Sequence, residues 1–311
     1  MMSTRPLLWQ ALNVPPCELG ESPRYAHCMW VWLDIHQRKL YLCKNQDLLR
    51  AQDLSLIMQT MNLPDEIACV LPTATPAVWM GLGRAGVWRI QTEGDEPFTL
   101  LQHPTYDSRS HRYNDGRADG RGRIWISSLV DARAPATAAL YRLSEGKVDT
   151  QVEGLIVGNG LAFTPDGTAL FLADTRHKCI WRYKYDLDSG ILHERRVVHH
   201  YSTGNERPDG ACMSADGSYW VAIIEGYRLD RFSSEGQFIE SIPLPFAKPT
   251  MPCFGGEGLS TLMVTSGKPD AQHPNLNGFE QASVIACKTS FNGWPGGQRW
   301  TNGNQSKSKF L

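Results

Sequence analysis

The chain has 311 residues, 41% of them hydrophobic, enough to bury a large core, and the repeat described below argues for one domain where length alone would allow two. Its 31 Lys and Arg balance 32 Asp and Glu, and a net charge of -1 excludes attraction to nucleic acid, another acidic polymer or an anionic membrane. No run approaches the ~18 apolar residues that cross a bilayer, and the start from Met1 to Trp9 is too short for a secretory core, so a soluble, cytoplasmic protein is expected.

In chain order, Glu18, Gly20, Glu21, Ser22 and Pro23 lead into a short strand, a turn and an aromatic strand over 27–35, and 39–43 give a third. Residues 47–56 alone have a faint helical look. The pattern returns over 67–71 and 78–82. There Gly81, Gly83 and Gly86 match Gly-x-Gly-x-x-Gly, but a dinucleotide site needs that loop to open a helix, and Val87 and Trp88 start another strand. A tight hairpin is expected instead. A third copy runs through Tyr113, Asn114, Asp115, Asp119 and Gly120 to strands over 124–129 and 139–143. The fourth is the clearest: Asn159 precedes a short strand, Pro165, Asp166 and Gly167 form the turn, and 169–173 alternate, continued by 180–185. Pro208, Asp209 and Gly210 open a fifth copy with its turn at Asp216 and Gly217, continued by 227–232; Pro249 and Thr250 open a sixth, with a strand over 261–266.

Six copies at a spacing of about 50 residues are the signature of propeller blades. The expected fold is therefore all-β, a six-bladed β-propeller with four-stranded antiparallel blades over 1–300, followed by a polar, disordered tail over 301–311. Radial closure removes sheet edges, so residues 7–10 are expected to join the last blade near 282–287.

The eight cysteines show no Cys-x-x-Cys pair and are read as reduced thiols packed in strands. His193 and Glu194 lack the second His of a zincin, and no Gly-x-Ser-x-Gly elbow is present. His199 and His200 read as half-exposed strand, and Cys212 as a small core residue without a His partner.

In a propeller the first strand of each blade lines the channel, so residues just ahead of those strands converge on one mouth. Four such positions are polar: Glu21, Asn114 with Asp115, Asn159, and Asp209. Together they offer hard oxygen ligands suited to Ca²⁺, Mg²⁺ or Mn²⁺, with Zn²⁺ also possible through carboxylate. Any one of them alone reads as well as a turn former; their common blade position argues against that.

The order and spacing of these motifs, from Glu21, Ser22 and Pro23 through Arg112, Asn114 and Asp115, then Gly158, Asn159 and Gly160, to Pro208, Asp209 and Gly210, with Phe254 later, resemble the gluconolactonase and regucalcin family over residues 16–290. The resemblance implies a six-bladed propeller that hydrolyses sugar lactones. It implies one divalent cation held by Glu21, Asn159 and Asp209, with Asp209 as general base, and substrate contacts from Arg112 and Asn114. Tyr25 stands where the family carries Trp, Gly120 replaces a Pro, and Ser127, Ser128 and Leu129 replace Gly-Thr-Met. A family acid that touches substrate aligns with Ala132, beside Asp131, which puts the identity of the sugar in doubt. The expected partner is a small sugar lactone, and the expected state a monomer or weak homodimer. Hydrolysis of other esters or phosphotriesters, and a non-catalytic calcium-binding propeller, are the competing readings.

Overall fold

Each blade is built by a strand that is buried on both faces, framed by neighbours that are less so. In the computed structural model, which describes residues 7–44, 48–50, 54, 57–132 and 135–296, six four-stranded antiparallel sheets follow one another around a ring. Blade 1 contains β2 (Gly20–Ala26), β3 (Met29–Asp34), β4 (Lys39–Cys43) and β5 (Met58–Asn62). Blade 2 contains β6 (Ile67–Pro72), β7 (Val78–Gly83), β8 (Val87–Gln91) and β9 (Phe98–Gln102). Blade 3 contains β10 (His111–Ala118), β11 (Ile124–Val130), β12 (Ala138–Ser144) and β13 (Lys147–Leu155). Blade 4 contains β14 (Gly158–Phe163), β15 (Ala169–Asp174), β16 (Cys179–Asp186) and β17 (Ile191–His200). Blade 5 contains β18 (Arg207–Met213), β19 (Tyr219–Ile224), β20 (Arg228–Phe232) and β21 (Phe238–Pro243).

The sixth blade takes β22 (Pro249–Gly255), β23 (Thr261–Ser266) and β24 (Val284–Lys288) from the end of the chain and β1 (Gln10–Ala11) from its start. Gln10 pairs with Ala286 and Ala11 with Ile285, so the ring closes where expected, although the closing strand begins at Gln10 rather than at Leu7.

Strand alternation sends successive side chains to opposite faces, and the core is divided accordingly. Trp30 and Trp32 pack with Met263 and Ala286 of blade 6, whereas Val31 and Leu33 of the same strand pack with Val70 and Trp79 of blade 2. The same arrangement joins each neighbouring pair of blades around the ring.

Inner and middle strands fall where the sequence places them. Most outermost strands had no clear sequence signal: β17, for example, shows Glu194, Arg195 and Arg196 to solvent, so no apolar alternation marks it. Within the faintly helical stretch Leu48–Arg50 are turn and Leu54 is buried, and its other residues and the tail over 301–311 lie outside the described residues. All eight cysteines are free, but Cys28 is exposed in the turn between β2 and β3 rather than packed. Among the described residues no helix is long and apolar enough to cross a membrane.

Candidate active site at the channel mouth

All six innermost strands, β2, β6, β10, β14, β18 and β22, break register with the next strand out at a matching place. A bulge of this kind inserts an extra residue and re-aims side chains. Below the breaks, Arg24, Cys69, Arg117, Ala162, Cys212 and Cys253 face Val31, Leu82, Trp125, Phe171, Trp220 and Met263. Three residues earlier in each blade stand Glu21, Glu66, Asn114, Asn159, Asp209 and Thr250, at matching positions around the ring.

The four polar positions expected at the mouth are thus joined by Glu66 and Thr250, which sequence reading missed. Glu66 carries no comparable motif, since it stands just ahead of β6 whereas the others lie within their strands.

A chain of polar contacts fixes the mouth from blade 3 to blade 5. Arg112 Nη1 donates to Asn114 Oδ1 at 2.7 Å and to Tyr113 O at 3.1 Å, which orients the Asn114 amide. Asn114 Nδ2 then donates to Gly158 O and to Asn159 Oδ1, both at 2.9 Å. Asn159 Nδ2 donates to Thr175 Oγ1 at 2.8 Å, and Thr175 Oγ1 donates to Pro208 O at 2.8 Å, next to Asp209. Both donors of Asn114 are thereby committed to protein, so a ligand would meet only its carbonyl oxygen. Ser127, where the family motif departs, donates to Gly158 O at 2.7 Å and holds the same segment from behind.

Asp115 does not share the mouth with Asn114. Its carboxylate turns into the channel, accepting from Gly116 N at 2.7 Å and Leu161 N at 2.9 Å, with Arg24 Nη2 3.8 Å away. This buried pair ties blades 1, 3 and 4 together directly beneath the mouth.

Glu21 and Asp209 share an electrostatic environment that opposes their charge. Burial pushes the Glu21 carboxyl up to about 7; the Ser22 N–H pulls it back, the charge of Asp115 adds to the rise, and Arg24 and Arg112 pull it down. Burial also raises Asp209, helped by the charges of Glu21 and Asp115 and opposed by Arg207 and Arg112. Glu21 Oε2 accepts from Ser22 N at 2.7 Å, and Ser22 takes the positive φ of 50° that the bulge requires. Among the described residues no donor bonds the Asp209 carboxylate. Burial lowers the Arg112 guanidinium, with Glu66 the strongest acid holding it up.

Other sequence signals resolve as structure. His199 stacks edge-on against Tyr201 at 4.4 Å and near Phe232, and burial lowers its pKa. Burial raises the Cys212 thiol, which makes it a poor nucleophile. No group of three or more His, Cys, Asp and Glu able to hold a metal ion occurs among the described residues.

The ring of six blades carries acids and amides at one end of its channel, and the family it matches makes it a propeller enzyme of the lactonase type. The chain belongs to the SMP-30/Gluconolactonase/LRE-like family, whose pattern matches residues 19–268. It is 34% identical over 265 residues to a 6-deoxy-6-sulfogluconolactonase of Pseudomonas putida, covering 84% of this chain and 87% of that protein. It is 29% identical to the regucalcin of Sus scrofa over 62% of this chain and 69% of that one. Its fold matches a calcium-binding regucalcin of Agrobacterium tumefaciens with a TM-score of 0.81 at 21% identity, over 94% and 98% of the two chains.

Proposed function

We infer that this chain hydrolyses a sugar lactone to the aldonic acid at the channel mouth, with one divalent cation held by Glu21, Asn159 and Asp209. The supporting observation is the pair of carboxylates of half-buried Glu21 and buried Asp209, each pushed toward its neutral form, beside an Asn159 oxygen held in place by Asn114 and Thr175. Two acids buried together without a matching counter-charge are stabilised by a hard cation, and an all-oxygen donor set suits Ca²⁺, Mg²⁺ or Mn²⁺ better than Zn²⁺. The Agrobacterium regucalcin is described as calcium-binding, which supports the cation, and the P. putida relative is named for a 6-deoxy-6-sulfogluconolactone, which supports a sugar lactone as the substrate class. When bound, the cation supplies Lewis acidity at the lactone carbonyl.

The protein supplies the proton chemistry. Asp209 accepts a proton from a water; the water oxygen bonds to the carbonyl carbon, the bond from that carbon to the ring oxygen breaks, and Asp209 returns the proton to the ring oxygen. Atoms and charge balance without a further reactant. Arg112 turns Nε and Nη2, the edge not used on Tyr113 and Asn114, toward substrate oxygens, and the Asn114 carbonyl accepts from a sugar hydroxyl.

Acid release from a panel of sugar lactones, followed with and without a chelator, tests this reading. Hydrolysis that stops on chelation and returns with a divalent cation is the expected result. Undiminished hydrolysis after chelation would remove the cation, and no hydrolysis of any lactone would remove the function.

A further inference from the structure

The hairpin that carries Gly81, Gly83 and Gly86 builds the other wall of the mouth. Gly83 N donates to Gly86 O at 2.9 Å, and Asp65 pins the turn by accepting from Ala85 N at 2.7 Å and Trp88 Nε1 at 3.1 Å. Gly86 has a φ of 132°, and a Cβ there would lie 2.0 Å from Gln102 O, so the turn requires glycine.

On this turn Arg84 reaches across to blade 3. Its Nε donates to Glu66 Oε2 at 2.6 Å, and Nη1 and Nη2 donate to the two Asp131 carboxylate oxygens at 2.8 and 3.1 Å. Nη1 also lies 3.2 Å from Ser108 O and from His111 O. The guanidinium fork is thus spent on protein acceptors and has little left for a ligand anion. Glu66 and Asp131 remain partly open to solvent, with side-chain exposures of 28% and 41%, and each carboxylate keeps lone pairs for further donors.

Charge around the mouth leaves no positive surplus. Glu66 and Asp131 share the single guanidinium of Arg84, two negative groups against one positive. An anionic substituent reaching Glu66 and Asp131 would meet two carboxylates and a guanidinium already spent on them, whereas hydroxyl groups would find acceptors.

We propose that Glu66, oriented by Arg84 and flanked by Asp131, is a specificity-determining residue that selects lactones with a neutral, hydroxyl-bearing side chain over those ending in sulfonate, phosphate or carboxylate. This rests on the lactonase reading above and adds the substrate class.

The test compares kcat/KM for glucono-δ-lactone and its 6-phospho analogue at low salt in the parent, Glu66→Gln and Glu66→Lys, with calorimetric binding of gluconate and 6-phosphogluconate to each. The parent is expected to favour the neutral lactone at least about tenfold. Glu66→Gln should narrow that ratio several-fold, mainly through KM, and Glu66→Lys should narrow it further, with the calorimetric preference following the same order. A parent that takes the anionic lactone equally well, or a ratio that neither variant moves, overturns the proposal. Should no lactone be hydrolysed, the lactonase reading fails separately, and the calorimetric preference among the three proteins still decides the role of Glu66.

Discussion

Asp209 lies buried with no hydrogen-bond donor of its own among the described residues and with the Glu21 charge close enough to raise its proton affinity. Replacing it removes both a cation ligand and the base, so Asp209→Asn is expected to lower lactone hydrolysis by about 10²-fold or more and to abolish the thermal shift given by calcium. Activity within about threefold of the parent would falsify its assignment. The same pair predicts a pH dependence in the chelated protein. The Glu21 carboxyl is raised in the fold, to about 7 from 4.5, so its ionisation opposes folding: its own contribution to metal-free stability is greatest below about pH 4.5 and is lost as the pH rises through about 7. Calcium should therefore raise the melting temperature strongly at pH 8 and little at pH 5, and scanning calorimetry at the two values checks it. An equal rise at both would mean that Glu21 does not meet the cation.

At the scale of single elements, the bulge on the inner strand is what turns a strand residue into a mouth residue. In β14 this depends on Gly160, which has a φ of 59° and packs so closely that a Cβ would lie 2.4 Å from Tyr219 Oη and 2.9 Å from Ala173 Cβ. Gly160→Ala should cost about 2 kcal/mol or more, and because Asn159 is the adjacent residue, it should also weaken cation binding. A melting temperature within about 1 °C of the parent and an unchanged calcium titration would show that the bulge tolerates a side chain. Two of the second strands, β3 and β15, end on acids that gather the backbone of the approaching segment. The Asp174 carboxylate accepts from the N–H groups of Ile156, Arg176 and His177 at 2.7, 2.9 and 3.0 Å. Asp34 does the same for Glu18 and Gln37 at 2.8 and 3.1 Å. These contacts set the height at which Glu21 and Asn159 enter the channel.

For the whole molecule, stability depends on closing a ring from two distant ends of the chain. β1 supplies the outer strand of blade 6, Leu12 N donates to Val284 O at 3.0 Å, and Leu12 is buried among Trp30, Trp32 and Met263. Removing residues 1–13 should expose the edge of β24 and empty the Leu12 site, at a cost of about 2–5 kcal/mol. The truncated protein is expected to melt several degrees lower and to aggregate more readily, yet to keep its cation affinity below the transition, since the mouth draws nothing from β1. An unchanged melting curve would show that the closing strand carries little of the stability.

The sequence by itself determined the number of blades, the strands in their inner layers and most of the polar residues at the mouth. Those are set by local alternation, by turn residues such as Asp166 and Gly167, and by a repeat that can be counted. The outermost strands escaped it because a strand wet on both faces has no apolar rhythm to read. Only the tertiary structure decided that Asp115 turns inward to Arg24 while its neighbour Asn114 faces the mouth. It likewise decided that the glycine-rich hairpin delivers Arg84 to Glu66 and Asp131. Both depend on cross-blade contacts such as Arg24 with Asp115 and Arg84 with Asp131, whose geometry no window of sequence contains, since it exists only once the ring has closed.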